Sequence, residues 1–463
     1  MLFRLLWQNS PCQKAPSVLN LGRLSCFYRI HGVYFPVGQL SLICPMKAIQ
    51  LIKSIPRYLL TKTVGAIYPP VFWSPLAMLQ YREVPEPALP GPQWVKIKTR
   101  YGGICGSDVS TAFLKDSPAL SAFVSFPFTL GHENVGVIAE VGDQVKGFTP
   151  GERVVAEPLL PCVTRGIEEL CEFCQRGEFS LCQNFAEGGL VPGFGIGSCH
   201  DTGGSWSPRF VAHRSQLFPV PENVSDENAL MVEPFSVALH SAIHNFPDDD
   251  DTVLMLGAGV VGLCIVAALR TLGSGARVIV VAKYPFQGEM ARRFGADEVI
   301  YLREGDYFQA VAEVTGGKLY KPVLGKRVLV GGADVVYECV GNESSIDDSL
   351  RLARSSGTVV LVGLAAIPKR VDWTPIWLNE LTVKGSYWCG TETFQGRRVR
   401  TFQLALEWMA EGKLDLAPMV THRFRLDDYK RALAVTANKG RHQVVKSVFV
   451  FNCYSGCHCE PKP

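Results

Sequence analysis

The strongest constraint on the fold is a glycine-rich loop that directly follows a short buried-strand pattern. The strand pattern covers residues 252–256, and the loop reads GAGVVG over residues 257–262. An apolar helical pattern then covers residues 263–272, and a second strand pattern covers residues 277–282. Strand, loop, helix and strand in this order predict a βαβ unit with two parallel strands.

The same alternation continues toward the C-terminus. Strands are predicted at residues 335–340 and 358–363, with a helix at residues 344–353 between them. Repeated alternation of strands and helices is typical of an α/β domain in which helices cover a parallel sheet. We therefore predict a doubly wound parallel sheet over residues 235–392.

Each glycine of the loop has its own expected role. We expect Gly257 to make a tight turn, Gly259 to let a ligand approach the backbone, and Gly262 to let helix and strand pack closely. The N–H groups of Val260 and Val261, at the start of the helix, favour a bound phosphate. The loop therefore predicts a dinucleotide cofactor, NAD or NADP.

The end of the second strand indicates which dinucleotide is preferred. An acid at this position would bind the ribose hydroxyls of NAD, but this chain has Ala282 followed by Lys283. The missing acid removes repulsion against a 2′-phosphate, and the Lys283 ammonium can pair with that phosphate. We predict a preference for NADP; the alternative is that Lys283 is a solvated surface charge.

Composition excludes several functional classes. A hydrophobic fraction of 47% and a charged fraction of 19% favour a large core over disorder. The net charge of +3 is too small to indicate a nucleic-acid partner, and no apolar run approaches the ~20 residues of a membrane span. The fifteen cysteines indicate metal binding in a reducing compartment rather than disulfides, which predicts a cytoplasmic protein.

Three short motifs contain side chains that bind transition metals. GGICGSD contains Cys105, GHENVG contains His132, and VEP contains Glu233. A thiolate, an imidazole and a carboxylate make a three-ligand site with one open position, which is typical of a catalytic zinc. Alone, each residue is more simply a buried thiol or a core histidine. Their combination with the glycine loop favours the catalytic zinc.

A cysteine-rich segment predicts a second, structural zinc. Cys171, Cys174 and Cys182 have Cys-x2-Cys-x7-Cys spacing, and a Cys-x2-Cys pair lets two thiolates bind one ion. We expect Cys162 to be the fourth ligand because it adds another thiolate; the alternative, Glu168, is nearer in sequence and could bind through an oxygen. The alternative is a lobe of free thiols without metal.

The first half of the chain reads differently from the parallel sheet. Residues 46–234 contain short β-branched segments, such as residues 94–99, that are bounded by glycine and proline. Such a pattern predicts an antiparallel, barrel-like domain. Helices and a final strand over residues 393–451 are expected to rejoin this domain.

A helix is predicted over residues 224–244, at the junction of the two domains. Pro234 lies near its middle, and proline there predicts a break or kink. We expect this break to aim Glu233 into a cleft.

The two ends of the chain differ from the rest. Residues 1–45 contain four basic residues and no acidic one, which predicts either an upstream start codon before Met46 or an organelle transit peptide. Residues 452–463 form a cysteine-containing tail to which we assign no function.

Together the motifs resemble the zinc-containing medium-chain dehydrogenase/reductase family, in the family's order, over roughly residues 46–451. The resemblance implies a Rossmann nucleotide-binding domain and a GroES-like β-barrel catalytic domain, with the active site between them. Glu233 within VEPFSVALH resembles the branch that contains sorbitol, glucose and threonine dehydrogenases. Ethanol-type members carry a cysteine at that point.

The resemblance also implies roles for single residues. The implied ligands of the catalytic zinc are Cys105, His132 and Glu233. Glu133 would be a nearby carboxylate able to join or leave the metal, and Ser107 the hydroxyl that passes the substrate proton outward. Asp108 would accept a hydrogen bond from His132, which fixes the tautomer of a metal ligand.

Two positions depart from the family pattern. Glu168 stands where the family has the first cysteine of the lobe, so Cys162 is a substitute. Ser110 stands where some members have a relay histidine, so the path of the proton is expected to differ.

The expected function is hydride transfer between an alcohol carbon and NAD(P). Zn²⁺ with the Cys105 thiolate and the Glu233 carboxylate is formally neutral, and such an ion lowers the pKa of a bound hydroxyl toward ~7. The resulting alkoxide can release hydride to the nicotinamide. A carboxylate ligand suits a polyol, sugar or amino-alcohol substrate.

Two other functions remain open on the sequence alone. One is a zinc-independent quinone or enone reductase of the same architecture, and the other is a non-enzymatic nucleotide-binding protein. The expected partner is a small-molecule alcohol or carbonyl substrate, without nucleic acid or membrane. We also expect a homo-oligomer, a dimer or tetramer, because exposed strand edges often pair between subunits.

Overall fold

The computed structural model describes residues 45–451 and two short strands before them, Phe27–Ile30 and Val33–Pro36. These two strands pair with each other antiparallel. The segment predicted as a leader covers residues 1–45; apart from these two strands and Pro45, it lies outside the described residues. The tail at residues 452–463 also lies outside them. The interpretations of both segments stay predictions.

Six parallel strands form the sheet predicted from the glycine loop. Their order across the sheet is Glu298–Tyr301, Arg277–Ala282, Thr252–Leu256, Ala333–Glu338, Ala353–Leu361 and Thr382–Gly385. All neighbouring pairs run parallel. The strand order changes direction at Thr252–Leu256, and such switch points are where open α/β sheets bind ligands. The predicted doubly wound α/β fold is confirmed.

Helices pack on both faces of this sheet. The odd-numbered residues of Thr252–Leu256 pack in one apolar cluster with helix Val260–Thr271. The even-numbered apolar residues pack in a second cluster with helices Tyr307–Thr315 and Glu343–Leu352. Alternate side chains of a strand point to opposite faces, so each face needs its own helical layer. The remaining elements of this region are Pro285–Arg293, Thr374–Leu378 and the antiparallel strands Lys318–Tyr320 and Val328–Val330.

A mainly antiparallel sheet forms the other part of the fold. Its strand order is Leu217–Pro219, Arg153–Ala156, Asn134–Val141, Trp94–Ile104, Lys446–Val450 and Val420–Phe424, and Arg209–His213 also pairs with Trp94–Ile104. A smaller sheet contains Leu79–Val84, Met46–Leu51 and Phe128–Thr129. Because Lys446–Val450 pairs antiparallel with Trp94–Ile104, the C-terminal part of the chain rejoins this sheet.

Several helices and turns surround these strands. The α-helices are Ile55–Gly65, Gly106–Ala112, Glu172–Arg176, Asp226–Leu230, Val232–His244, Thr401–Ala410, Tyr429–Ala437 and Lys439–His442. The 3-10 helices are Pro69–Trp73, Pro118–Phe123, Cys162–Arg165, Phe179–Leu181, Arg214–Gln216, Ala417–Met419 and Leu426–Asp428. A hairpin joins Thr391–Phe394 to Arg397–Arg400.

Helix Ile55–Gly65 interrupts a stretch that was predicted as short strands. The Ser54 side chain accepts a hydrogen bond from the backbone N–H of Arg57 at the helix start. A proline in the first helical turn costs no backbone hydrogen bond, because the N–H there has no intrahelical partner. The capping serine and this proline therefore start a helix in place of another strand.

The predicted helix over residues 224–244 is two helices, and the position expected for its break was wrong. Asp226–Leu230 and Val232–His244 meet at Met231, three residues before Pro234. Pro234 instead lies in the first turn of the second helix, where proline is tolerated. The break nevertheless leaves Glu233 at the start of a helix.

The domain boundaries after residues 45, 234, 392 and 451 stay predictions. Among the helices of the described residues, none combines the length and apolar character needed to cross a bilayer.

Candidate active site

Strand pairing brings three metal-binding side chains together. Trp94–Ile104 pairs with Asn134–Val141, and Gly102 lies opposite Asn134. Cys105 directly follows the first of these strands, and His132 and Glu133 directly precede the second. A sulfur, a ring nitrogen and a carboxylate oxygen therefore lie within 4.8 Å of one another. These donors belong to Cys105, His132 and Glu133.

Asp108 holds this arrangement from the adjoining helix. Cys105 is the N-cap of helix Gly106–Ala112, and its backbone N–H donates a hydrogen bond to Asp108 Oδ2 at 3.0 Å. Asp108 Oδ1 lies 3.5 Å from His132 Nδ1. Burial lowers the pKa of His132, but Asp108 and Cys105 together raise it well above its usual range. Asp108 therefore lies beside the imidazole, and its predicted role in fixing the tautomer of His132 stays a prediction.

Glu233 does not belong to the compact set of donors, although the sequence assigned it as a zinc ligand. Its carboxyl group is buried in the first turn of helix Val232–His244. Burial raises the pKa of Glu233 to about 7; Glu133 adds to this rise, and His132 opposes it. The carboxyl group is therefore within electrostatic reach of the set, while Glu133 is the carboxylate that lies inside it.

A buried lysine that the sequence analysis missed completes the site. Lys446 starts the last strand and forms an ion pair with Glu133. The side chains of Lys446 and Glu133 are only 2% and 1% exposed. A single lysine at the start of the strand KSVFV, which is otherwise uncharged, was the available signal, because lysine is rarely buried without a partner.

The donor set fits a divalent transition metal. Thiolate, imidazole and carboxylate are all zinc ligands. Both oxygens of Glu133 face the Lys446 ammonium, so a bound ion would share this carboxylate with Lys446. Gly103 makes room for this carboxylate, since a Cβ at Gly103 would lie 1.9 Å from Glu133 Oε2.

Two serines and a tryptophan lie near these metal-binding side chains in sequence or in space. Ser107 and Ser110 are partly buried on helix Gly106–Ala112, next to Cys105 in sequence. Trp388, which the sequence analysis did not identify, packs edge-on against the His132 ring at a centroid distance of 6.0 Å. Its backbone has φ +60°, which is rare for a bulky residue.

The cysteine lobe forms a second compact donor set. The sulfurs of Cys162, Cys171, Cys174 and Cys182 lie within 4.8 Å of one another. Cys162 and Cys182 are 3.6 Å apart, close to the about 3.8 Å expected between two sulfurs on a tetrahedral zinc with 2.3 Å bonds. Glu168 is exposed and outside this set.

The glycine loop has the backbone geometry that a bound dinucleotide needs. Gly257 has φ +105°, which favours glycine. A Cβ at Gly259 would meet nothing within 4 Å, whereas a Cβ at Gly262 would lie 2.1 Å from the Gly257 carbonyl oxygen. Val260 and Val261, both partly exposed, begin helix Val260–Thr271.

The helix that follows the loop lies beside the metal-binding set. It carries Cys264. Burial raises the pKa of this thiol, the Lys446 charge lowers it and the Glu133 charge raises it. The same helix packs against Val232–His244, the helix that carries Glu233. The helix of the dinucleotide loop is therefore within electrostatic reach of the candidate metal ligands.

Basic side chains flank the ring that follows the second parallel strand. The exposed Lys283 ammonium lies 5.6 Å from the centre of the Tyr284 ring, and the Arg303 guanidinium lies 5.1 Å from it. Arg303 was not identified from the sequence, because it follows the next strand of the sheet. Two cations at this position can both pair with a phosphate.

Comparison with known proteins identifies the family. The alcohol dehydrogenase GroES-like domain matches residues 91–222, and the zinc-binding dehydrogenase domain matches residues 260–410. L-idonate 5-dehydrogenase of Vitis vinifera is 31% identical over 76% of this chain and 86% of its own length. Sorbitol dehydrogenase of Arabidopsis thaliana is 30% identical over 72% of this chain and 82% of its own.

A solved structure agrees with these relatives. A zinc-binding dehydrogenase of Sinorhizobium meliloti 1021, bound to NADP, has a TM-score of 0.65 and 26% identity, covering 88% of this chain and all of its own. The resemblance drawn from the sequence motifs is confirmed. The chain belongs to the zinc-containing alcohol dehydrogenase family of medium-chain dehydrogenases, in the branch similar to sorbitol and threonine dehydrogenases.

Proposed function

We propose that the protein is a zinc-dependent oxidoreductase that transfers hydride between the alcohol carbon of a polyol, sugar or amino alcohol and NAD(P). The observation that carries this proposal is the position of the Cys105, His132 and Glu133 donors beside the helix of the glycine loop. A metal-binding set near a dinucleotide-binding helix supplies both an acidified hydroxyl and a hydride acceptor for alcohol oxidation.

The residues of the chain divide the work of the reaction. When bound, zinc makes a coordinated hydroxyl acidic and the nicotinamide accepts hydride. Cys105 and His132 would hold the metal, and Asp108 keeps the imidazole in the orientation for binding. Ser107, partly exposed next to Cys105 in sequence, would pass the substrate proton outward.

Glu133 and Glu233 would have different roles at the metal. Glu133 is already compensated by the Lys446 ammonium, so it can approach or leave the ion at small electrostatic cost. Glu233 has no ion pair of this kind among the described residues and would supply the carboxylate charge that neutralises the metal. This division keeps the roles that the family resemblance implied.

The substrate class follows from the metal and the relatives together. Relatives named for L-idonate and sorbitol act on compounds rich in hydroxyl groups. A metal held by one thiolate and a carboxylate is harder than one held by two thiolates, and a harder ion suits such oxygen ligands. Turnover of a panel of polyols, sugars and amino alcohols with NAD and NADP would identify the substrate.

Replacing Cys105 with Ser tests the assignment of the active site. We expect Cys105→Ser to abolish alcohol oxidation while NADP affinity remains nearly unchanged, because the thiol contacts the metal and not the loop. Cys199→Ser, a change at a buried free thiol outside both donor sets, is the matched control and should retain activity.

The same experiment separates the other candidate functions. Zinc removal should abolish oxidation, whereas a zinc-independent enone reductase would keep its activity after chelation. A nucleotide-binding protein without activity would bind NADP but turn over no alcohol. Retained oxidation by Cys105→Ser would contradict the proposal.

We also propose a cytoplasmic homo-oligomer, either a dimer or a tetramer. Thr382–Gly385 is an edge strand of the parallel sheet, and its free edge offers backbone groups to a second subunit. The nine cysteines of residues 45–451 are free thiols, which suits a reducing compartment. Light scattering of the purified protein would determine the number of subunits.

A further inference from the structure

Two histidines and a glutamate form a third donor cluster, apart from the active site and the cysteine lobe. His240 and His244 lie four residues apart on helix Val232–His244, so their rings share one face. Glu392 approaches them from strand Thr391–Phe394. One donor atom from each residue lies within 4.8 Å of the other two.

Both carboxylate oxygens of Glu392 point at imidazole nitrogens. Oε1 lies 2.6 Å from His240 Nδ1, and Oε2 lies 2.9 Å from His244 Nε2. The Glu392 side chain is only 6% exposed, while that of His244 is 54% exposed. The cluster therefore joins a buried carboxylate to an imidazole that is accessible from solvent.

The donors match the preferences of one class of ion. Two imidazole nitrogens and a carboxylate bind Zn²⁺ and other divalent transition metals, whereas Mg²⁺ and Ca²⁺ prefer oxygen ligands. Zinc bonds of about 2.1 Å at tetrahedral angles place two ligand atoms about 3.4 Å apart. The present N–O separations of 2.6 and 2.9 Å would need to widen by less than about 1 Å.

A cleft beside the cluster gives room for an ion and its water. Its volume is about 540 Å³, and all three donors line it. Glu178 also lines the cleft, but its carboxylate accepts hydrogen bonds from Arg176 at 3.0 Å. The two imidazoles and Glu392 are therefore the donors that an ion would use.

We propose that His240, His244 and Glu392 form a third metal site, selective for divalent transition metals and filled by Zn²⁺. An ion there would join the C-terminal end of helix Val232–His244 to the hairpin that begins at Thr391–Phe394. The same helix carries Glu233 in its first turn, so the site anchors the far end of an element of the active site.

Zinc stoichiometry of the full chain tests this site. Protein equilibrated with Zn²⁺ and freed of unbound metal would be analysed by mass spectrometry of its metal content. We expect Glu392→Gln to hold one zinc fewer than the unmodified protein, because glutamine keeps the shape of the side chain but neither its charge nor its second acceptor oxygen. His200→Gln, at an exposed histidine outside the cluster, should lose none.

A spectroscopic measurement identifies the ligands independently. Cu²⁺ binds such donors more tightly than Zn²⁺, so copper added to the zinc-loaded protein should displace the zinc of this site. It should give an electron paramagnetic resonance signal with coupling to two imidazole nitrogens, and His240→Gln should remove that signal. Equal zinc content in the unmodified protein and Glu392→Gln would overturn the proposal. An unchanged copper signal in His240→Gln would also overturn it. The stoichiometry difference does not depend on alcohol oxidation, so failure of the proposed function would be seen separately.

Discussion

Replacing Lys446 with Met removes the only counter-charge that the described residues give to Glu133 through an ion pair. Both side chains are almost fully buried, so water cannot take the place of the ammonium. Methionine keeps the length and the apolar part of the lysine side chain. The substitution therefore changes the charge more than the packing.

The expected loss of stability is large because one buried charge is left behind. Removing one partner of a buried ion pair costs about 3–5 kcal/mol. A zinc ion beside Glu133 would take up part of the carboxylate charge, so the lower end of this range applies to the zinc-loaded protein. Adding Glu133→Gln to Lys446→Met removes the stranded charge and should recover about 2 kcal/mol or more.

Urea unfolding followed by intrinsic fluorescence measures these differences. Lys47→Met is the matched control, because the Lys47–Glu83 ion pair is 49% and 63% exposed and such pairs contribute about 0–1 kcal/mol. We expect a change below about 1 kcal/mol in the free energy of unfolding only for Lys47→Met. If Lys446→Met changes this free energy equally little, the Glu133 charge is not stranded and the reasoning fails.

Three further predictions address the cofactor site, the metal site and the pH dependence. Lys283→Ala should raise the KM for NADP about fivefold, equivalent to about 1 kcal/mol, and leave that for NAD unchanged; equal effects on both cofactors in steady-state kinetics would contradict a 2′-phosphate contact. Gly103→Ala should lower the free energy of unfolding in urea by about 1–3 kcal/mol and lower the zinc content, since its Cβ would lie 1.9 Å from Glu133 Oε2. Gly106→Ala, whose Cβ meets nothing within 4 Å, should change neither quantity. Equal losses in the two variants would refute the clash. Burial and Arg214 lower the pKa of His213 from 6.5 to about 4. The stability present above pH 6.5 should therefore fall by about 3 kcal/mol as the pH drops through 4. A His213→Gln variant whose urea unfolding has the same acid dependence would refute this.

The parallel sheet was predictable because its signals are local. The turn at Gly257 and the close packing at Gly262 depend on residues within one βαβ unit, and the sequence order of strand, loop and helix defines them. The cysteine lobe was partly local as well. Cys171 and Cys174 lie on one turn, and Cys162 was expected as the fourth donor because it adds a thiolate. Only the folded loop shows that Cys162 lies within this donor set and that Glu168 lies outside it.

The active site was less predictable because its parts are distant in sequence. Lys446 reaches Glu133 only because the last strand returns to pair with Trp94–Ile104, and no periodicity reports such a pairing. The sequence placed Glu233 among the ligands by resemblance, yet the exact position of its carboxyl group depends on the break at Met231. Nonlocal strand pairing and helix ends are what sequence patterns describe least well.

Charge balance explains why these separate elements meet at one point. When ionised, Cys105, Glu133 and Glu233 bring three negative charges into a buried region, and uncompensated buried charge is strongly unfavourable. The Lys446 ammonium offsets one of them, the Lys439 charge also acts on Cys105 and Glu133, and a bound divalent ion would supply the rest of the positive charge. Asp108 lies in the first turn of a helix, where the helix dipole favours an acid. The distant strand that brings Lys446 therefore contributes to the charge balance of the site together with the residues that would bind the metal.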